Sequence, residues 1–122
     1  MADSERVIGR SADLVEGGTG IRFEVRRRGV KETEPHRDVQ AFVVRWEGRL
    51  HAYVNQCRHQ ATELDWNEGE FFDESKQFLV CATHGALYRP SDGYCVAGPC
   101  AGSRLEAVEV REHRGDIWVE GD

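Results

Sequence analysis

The 122-residue chain has no apolar run long enough to cross a bilayer, which argues against a membrane-spanning helix. Its first ten residues, MADSERVIGR, lack the basic-then-apolar pattern of a secretory leader, so a cytoplasmic location is expected. Positive charge is not in excess either. With 16 Lys and Arg against 22 Asp and Glu, the formal net charge is −6, which argues against a nucleic-acid partner, since phosphates favour a basic face. The one basic cluster, Arg26, Arg27, Arg28 and Lys31, is short, has no interleaved aromatics and reads as a solvated strand end and turn. There is no internal repeat, no low-complexity tract and no sustained helical periodicity. What remains is a length suited to one compact domain, able to bury a core without needing a metal or disulfides merely to fold.

The periodicity that is present has a period of two. Ile21, Phe23 and Val25 alternate with Arg22, Glu24 and Arg26, as in a half-buried strand. Residues 28–38 contain Gly29 and Pro35 and read as a loop. Val39–Trp46 and Arg49–Asn55, joined by Glu47-Gly48, predict a hairpin. Phe71–Phe72 with Gln77–Val80 predict a second, around Asp73–Lys76, and Leu105–Arg111 with Asp116–Glu120 a third, across Gly115. Residues 1–18 read as a loosely ordered segment with one turn near Ser11–Leu14. Residues 19–122 read as a single all-β domain of short antiparallel strands. Gln56–Asn67 and Thr83–Ser103 have little periodicity and read as loops, the usual seat of function on a β scaffold.

Those loops hold the chemistry. The four cysteines are Cys57, Cys81, Cys95 and Cys100. In a reducing compartment they are more often metal ligands or buried thiols than disulfides. The first loop contains Cys57-Arg58-His59 and the second Cys81-Ala82-Thr83-His84, with 21 residues between His59 and Cys81. A tetrahedral zinc site accepts two Cys and two His. Zinc fingers, however, pair Cys with Cys and His with His, whereas each motif here holds one of each. A mixed pair in each loop suits a two-iron cluster whose one iron takes both thiolates and whose other takes both imidazoles. Zinc remains the alternative.

The stretch CRH…CATHGALYRPSDGYCVAGPCAGSRLEAVEV resembles a Rieske ferredoxin domain, over about Ile21 to Val119. The resemblance implies an antiparallel β-sandwich base and a cluster-binding subdomain, about residues 56–103, made of two ligand loops and a proline loop. It implies one [2Fe–2S] cluster, with Cys57 and Cys81 on the buried iron and His59 and His84 on the outer one. Gly85 would let the backbone approach the cluster, and Gly98-Pro99 would belong to the covering loop. Neutral histidines ease electron gain, and Rieske potentials lie at about −150 to +300 mV. The chain lacks the extra cysteine that the respiratory branch carries in each ligand loop, and has Ala86 where that branch has a serine. Both differences imply the lower-potential ferredoxin type. Tyr88 stands where a tyrosine of the respiratory branch donates to a ligand sulfur; the other reading has its ring packing under the loop.

The implied function is a one-electron carrier between a flavoprotein reductase and a terminal oxygenase or similar enzyme. No catalysis and no small-molecule substrate are expected of the chain, which has no room for a mononuclear-iron catalytic domain. The alternatives are a Rieske-like small subunit of a reductase, such as assimilatory nitrite reductase, and a zinc-stabilised interaction module. Between the ligand pairs, Glu63, Asp65, Glu68, Glu70, Asp73 and Glu74 stand against Lys76 alone. That segment reads either as a solubilising surface or as a docking face for a basic redox partner. Cys95 and Cys100 flank Val96-Ala97-Gly98-Pro99 and read as buried thiols, with a disulfide as the alternative. His36, His51 and His113 have no partner motif, and Trp46, Trp66 and Trp118 read as packing aromatics.

Overall fold

The computed structural model describes residues 5–27, 37–56, 64–65, 68–81 and 85–119. Cys57, His59, His84, His36, Trp66 and Glu63 lie outside the described residues, as do Arg28 and Lys31. The strands are β1 (Arg6–Arg10), β2 (Ile21–Arg27), β3 (Arg37–Trp46), β4 (Arg49–Val54), β5 (Leu79–Val80), β6 (Leu87–Tyr88), β7 (Cys95–Ala97), β8 (Val110–His113) and β9 (Asp116–Val119). They form three antiparallel sheets, ordered β1-β9-β8, β2-β3-β4 and β5-β6-β7. The fold is all-β; among the described residues the sole helical element is the 3₁₀ turn Ser11–Asp13. No helix among them is long and apolar enough to cross a membrane.

The run Ala41-Phe42-Val43-Val44 explains the layering. All four side chains are fully buried, although successive side chains of a strand point to opposite faces. Such a continuous apolar run marks a strand covered on both sides. Ala41 and Val43 join Phe23, Val25, Ala52 and Val54 against Ile117 and Val119 of β9. Phe42 and Val44 join Tyr53, Phe71, Leu79 and Tyr88 on the other side. The β2-β3-β4 sheet is therefore the middle layer. The Phe42 and Phe71 rings stack with centroids 3.9 Å apart and planes 12° from parallel. Fully burying each such side chain contributes about 1.5–3 kcal/mol.

The first predicted hairpin forms in register, with Trp46 opposite Arg49 and Ala41 opposite Val54. Glu47 and Gly48 both have positive φ, +52° and +75°, the mirror-image turn that matches strand twist. The second hairpin is short, held by a Phe72–Leu79 bridge and by Asp73 N–H to Phe78 O and Val80 N–H to Phe71 O. The third is shorter than expected. Residues 105–109 leave the β8–β9 pairing and run beside β4 instead, with Val54 N–H donating to Glu106 O and Val108 N–H to Ala52 O.

Two expectations need correction. Residues 5–18 are not loosely ordered: β1 pairs with β9 from Arg6–Val119 to Arg10–Asp116, with a bulge between Val7 and Gly9. Partner strand rather than local pattern orders this segment. Thr83–Ser103 is not all loop either, because β6 and β7 lie inside it. Strands of two and three residues are too short to show a period.

Arg45 ties the N-terminal segment to the sandwich. Its Nε donates to Leu14 O at 2.9 Å and its Nη2 reaches Glu112 Oε2 at 2.6 Å, while Gly17 N–H donates to Arg45 O. The Arg45 guanidinium holds the Glu112 carboxyl below its ordinary 4.5. A lowered carboxylate pKa stabilises the fold above the unfolded value, and that contribution is lost as pH falls through the folded one. Arg45→Met should lower the unfolding free energy by about 1–2 kcal/mol at neutral pH in urea denaturation, the pair being partly solvent-screened. The gap between wild type and variant should narrow as pH drops below 4.5.

Candidate metal-cluster site

Cys81 follows β5 directly and is fully buried. The chain beyond it turns back at once: Gly85 N–H donates to Cys81 O at 2.7 Å, and Cys81 N–H to Ala86 O at 2.9 Å. β6 then carries Tyr88 back beside Leu79. This return joins the two ends of the second predicted ligand loop, whose His84 lies outside the described residues. Gly85 has a φ of +74°, which itself favours glycine; a Cβ there would meet no atom of the described residues within 4 Å.

The third loop lies on the second. Gly98 has a φ of +99°, and a Cβ on it would fall 2.7 Å from Ala86 Cα. Only a residue without a side chain lets the two backbones approach this closely. Pro99 follows at the exposed tip. The base of the loop is closed by Cys95 N–H to Ser103 O at 2.8 Å and Gly102 N–H to Cys95 O at 3.0 Å.

Beneath these loops, Cys81, Ala86, Tyr88, Cys95 and Cys100 share one buried cluster with Phe42 and Leu79. Tyr88 is fully buried, and its hydroxyl lies 3.0 Å from Cys100 Sγ, a sulfur outside the predicted ligand set. Cys95 and Cys100 stand as thiols with their sulfurs 3.2 Å apart.

The first ligand loop is held at its two stems by residues that the sequence did not single out for that role. Asn55 Oδ1 accepts from Leu64 N–H at 2.8 Å, and its Nδ2 donates to Asp65 Oδ1 at 2.9 Å and to Gln40 Oε1 at 3.0 Å. Asp65 Oδ2 accepts from Gly69 N–H at 2.9 Å and lies 3.4 Å from Arg22 Nε. Arg22 also hydrogen-bonds Gln40. This buried polar chain joins residue 55, before the loop, to residues 64 and 65 after it. The available signal was an amide at a strand end and an acid after the loop, both without an alternating pattern.

Asp65 thus leaves the predicted acidic surface: it is 5% exposed and internally bonded. Glu68, Glu70 and Glu74 remain exposed on that stretch, while Asp73 accepts from Ser75. His51 is half-buried, edge-on to Trp46 at 6.2 Å, and desolvation lowers its pKa; His113 is exposed.

A buried thiol at a strand end, a returning loop and a glycine-seated roof fit a thiolate-ligated iron pair shielded from water. The chain belongs to the Rieske [2Fe-2S] domain family, whose profile matches residues 7–113. Membership implies one Rieske-type [2Fe–2S] cluster with two Cys and two His ligands.

Solved structures share the fold. One is the terminal oxygenase of carbazole 1,9a-dioxygenase from Novosphingobium sp. KA1, with a TM-score of 0.69 at 24% identity. The match covers 97% of this chain, which spans about 30% of the length of that oxygenase chain. Another lies in the complex of reduced oxygenase and oxidized ferredoxin of carbazole 1,9a-dioxygenase, with a TM-score of 0.68 at 19% identity; the match covers 98% of this chain and 94% of that one. No curated protein matches the sequence.

The loop-on-loop seat makes a prediction. Gly85→Ala should cost about 1 kcal/mol in urea denaturation, from backbone strain alone. Gly98→Ala adds overlap with Ala86 to its own strain, so it should cost more, about 2–3 kcal/mol. Equal losses at both positions would show that the third loop does not rest on the second.

Proposed function

We propose that this chain is a one-electron carrier of the Rieske ferredoxin type, taking electrons from a flavoprotein reductase and passing them to a terminal oxygenase or similar enzyme. Cys57 and Cys81 hold the inner iron, and His59 and His84 hold the outer one. The cluster-binding part spans about residues 56–103. Gly85, Tyr88, Gly98 and Pro99 surround it. The observation that carries this reading is Cys81, buried at the end of β5 and hydrogen-bonded to Ala86, on which Gly98 sits, in a chain matched to the Rieske family over residues 7–113.

Bound there, the cluster accepts and releases one electron without a bond being made to a substrate. The residues around it hold the site still. The Asn55–Asp65 chain fixes the stems of the first loop, and Gly98 seats the third loop on the second. A rigid, water-poor pocket keeps reorganisation on electron transfer small and lets backbone amides tune the potential. The near end-to-end match to a chain in an oxygenase–ferredoxin complex supports a separate carrier. The partner face is the loop tip around Pro99, with Glu68, Glu70 and Glu74 offering charge to a basic patch on a transient partner.

The test is chemical analysis and redox titration of the anaerobically purified chain. Two irons per chain and a single one-electron wave are expected, with the visible spectrum and the wave abolished by Cys81→Ser. A colourless protein holding stoichiometric zinc would overturn the reading.

A further inference from the structure

Cys95 and Cys100 have no part in the ligand set, yet they are placed for chemistry with each other. Their sulfurs are 3.2 Å apart, inside van der Waals contact. The hydrogen bonds that close the base of the third loop hold the backbone at both residues: Cys95 N–H to Ser103 O, Gly102 N–H to Cys95 O and Ser103 N–H to Cys100 O. A disulfide has an S–S length of about 2.05 Å, so the sulfurs need to close by roughly one ångström, within reach of side-chain rotation. The two residues differ in access. Cys95 is fully buried and its Sγ lies 3.2 Å from Ala97 O. Cys100 is 9% exposed and is followed by the exposed Ala101 and Gly102.

We infer that Cys95 and Cys100 form a reversible oxidation site for small peroxides, set beneath the loop that covers the cluster. Cys100, the less deeply buried residue of the two, reacts first. Its thiolate displaces hydroxide from hydrogen peroxide, giving a sulfenic acid at Cys100. The Cys95 sulfur then attacks the Cys100 sulfur; the S–S bond forms, the S–O bond breaks, and the hydroxide leaves as water with the Cys95 proton. Overall, two thiols give up two electrons and two protons and one peroxide becomes two waters. An external dithiol reverses the change.

The consequence for the cluster rests on the ligand assignment proposed above. Cys100 is hydrogen-bonded to Tyr88, β6 carries Tyr88 beside β5, and Cys81 follows β5 in the same buried cluster. Forming the disulfide removes the Cys100 S–H and so changes its hydrogen bond with the Tyr88 hydroxyl. The disulfide state therefore has a different cluster potential from the dithiol state.

Two readouts on the holoprotein test this. The first is stoichiometric hydrogen peroxide, then denaturation, maleimide alkylation and peptide mass spectrometry. A Cys95–Cys100 peptide two mass units lighter than the dithiol, restored by dithiothreitol, is expected; Cys100→Ser should remove it, and Cys95→Ser should leave a trappable sulfenic acid on Cys100. Both cysteines still fully alkylated after the peroxide is consumed would overturn the site. The second readout is the midpoint potential before oxidation, after it and after reduction by dithiothreitol. A reversible shift in wild type, absent in both serine variants, is expected; a disulfide without a shift would overturn the coupling. The mass readout does not depend on which residues ligate iron, so failure of the ligand assignment remains distinguishable.

Discussion

The burial of β3 on both faces is the constraint from which the rest of the molecule follows. Ala41 and Val43 look one way, Phe42 and Val44 the other. Because one strand belongs to two cores, the outer sheet β1-β9-β8 and the small sheet β5-β6-β7 are fixed relative to each other through it. Phe71, stacked on Phe42, begins the short chain segment that ends at Cys81. The position of the buried thiol is thus set by packing on the middle sheet, ten residues upstream in sequence, more than by the loop that displays it.

Above that packed base the loops are held by short-range devices of different kinds. The second loop closes on its own backbone, from Cys81 to Gly85 and Ala86. The third uses the missing side chain of Gly98 to lie against Ala86. The stems of the first are joined by side-chain amide and carboxylate groups, Asn55 and Asp65, buried and mutually satisfied. A buried polar chain of this sort is costly when broken, since each orphaned group keeps its desolvation penalty.

Much of this was legible in the chain. The two β-rich runs and the Glu47-Gly48 turn between them carry their own physical reason, and the structure forms the predicted β3–β4 hairpin. The parts that were not legible depend on partners distant in sequence. Arg6–Arg10 becomes a strand through pairing with β9, over a hundred residues away. Leu87–Tyr88 and Cys95–Ala97 are too short to alternate visibly. Asp65 reads as one surface acid among several, and only its contacts with Asn55, Gly69 and Arg22 reveal a buried strut. Likewise, Cys95 and Cys100 are five positions apart in sequence, and only the folded loop brings their sulfurs together.

The central claim is that two histidines and two cysteines of this chain hold one [2Fe–2S] cluster. Its most direct test is pulsed electron paramagnetic resonance on the reduced protein with nitrogen-15 in histidine alone. Strong coupling to two histidine nitrogens is predicted, falling to one when His84→Cys assembles a cluster. A reduced cluster with no histidine nitrogen coupling, or one unchanged by that substitution, would contradict the account.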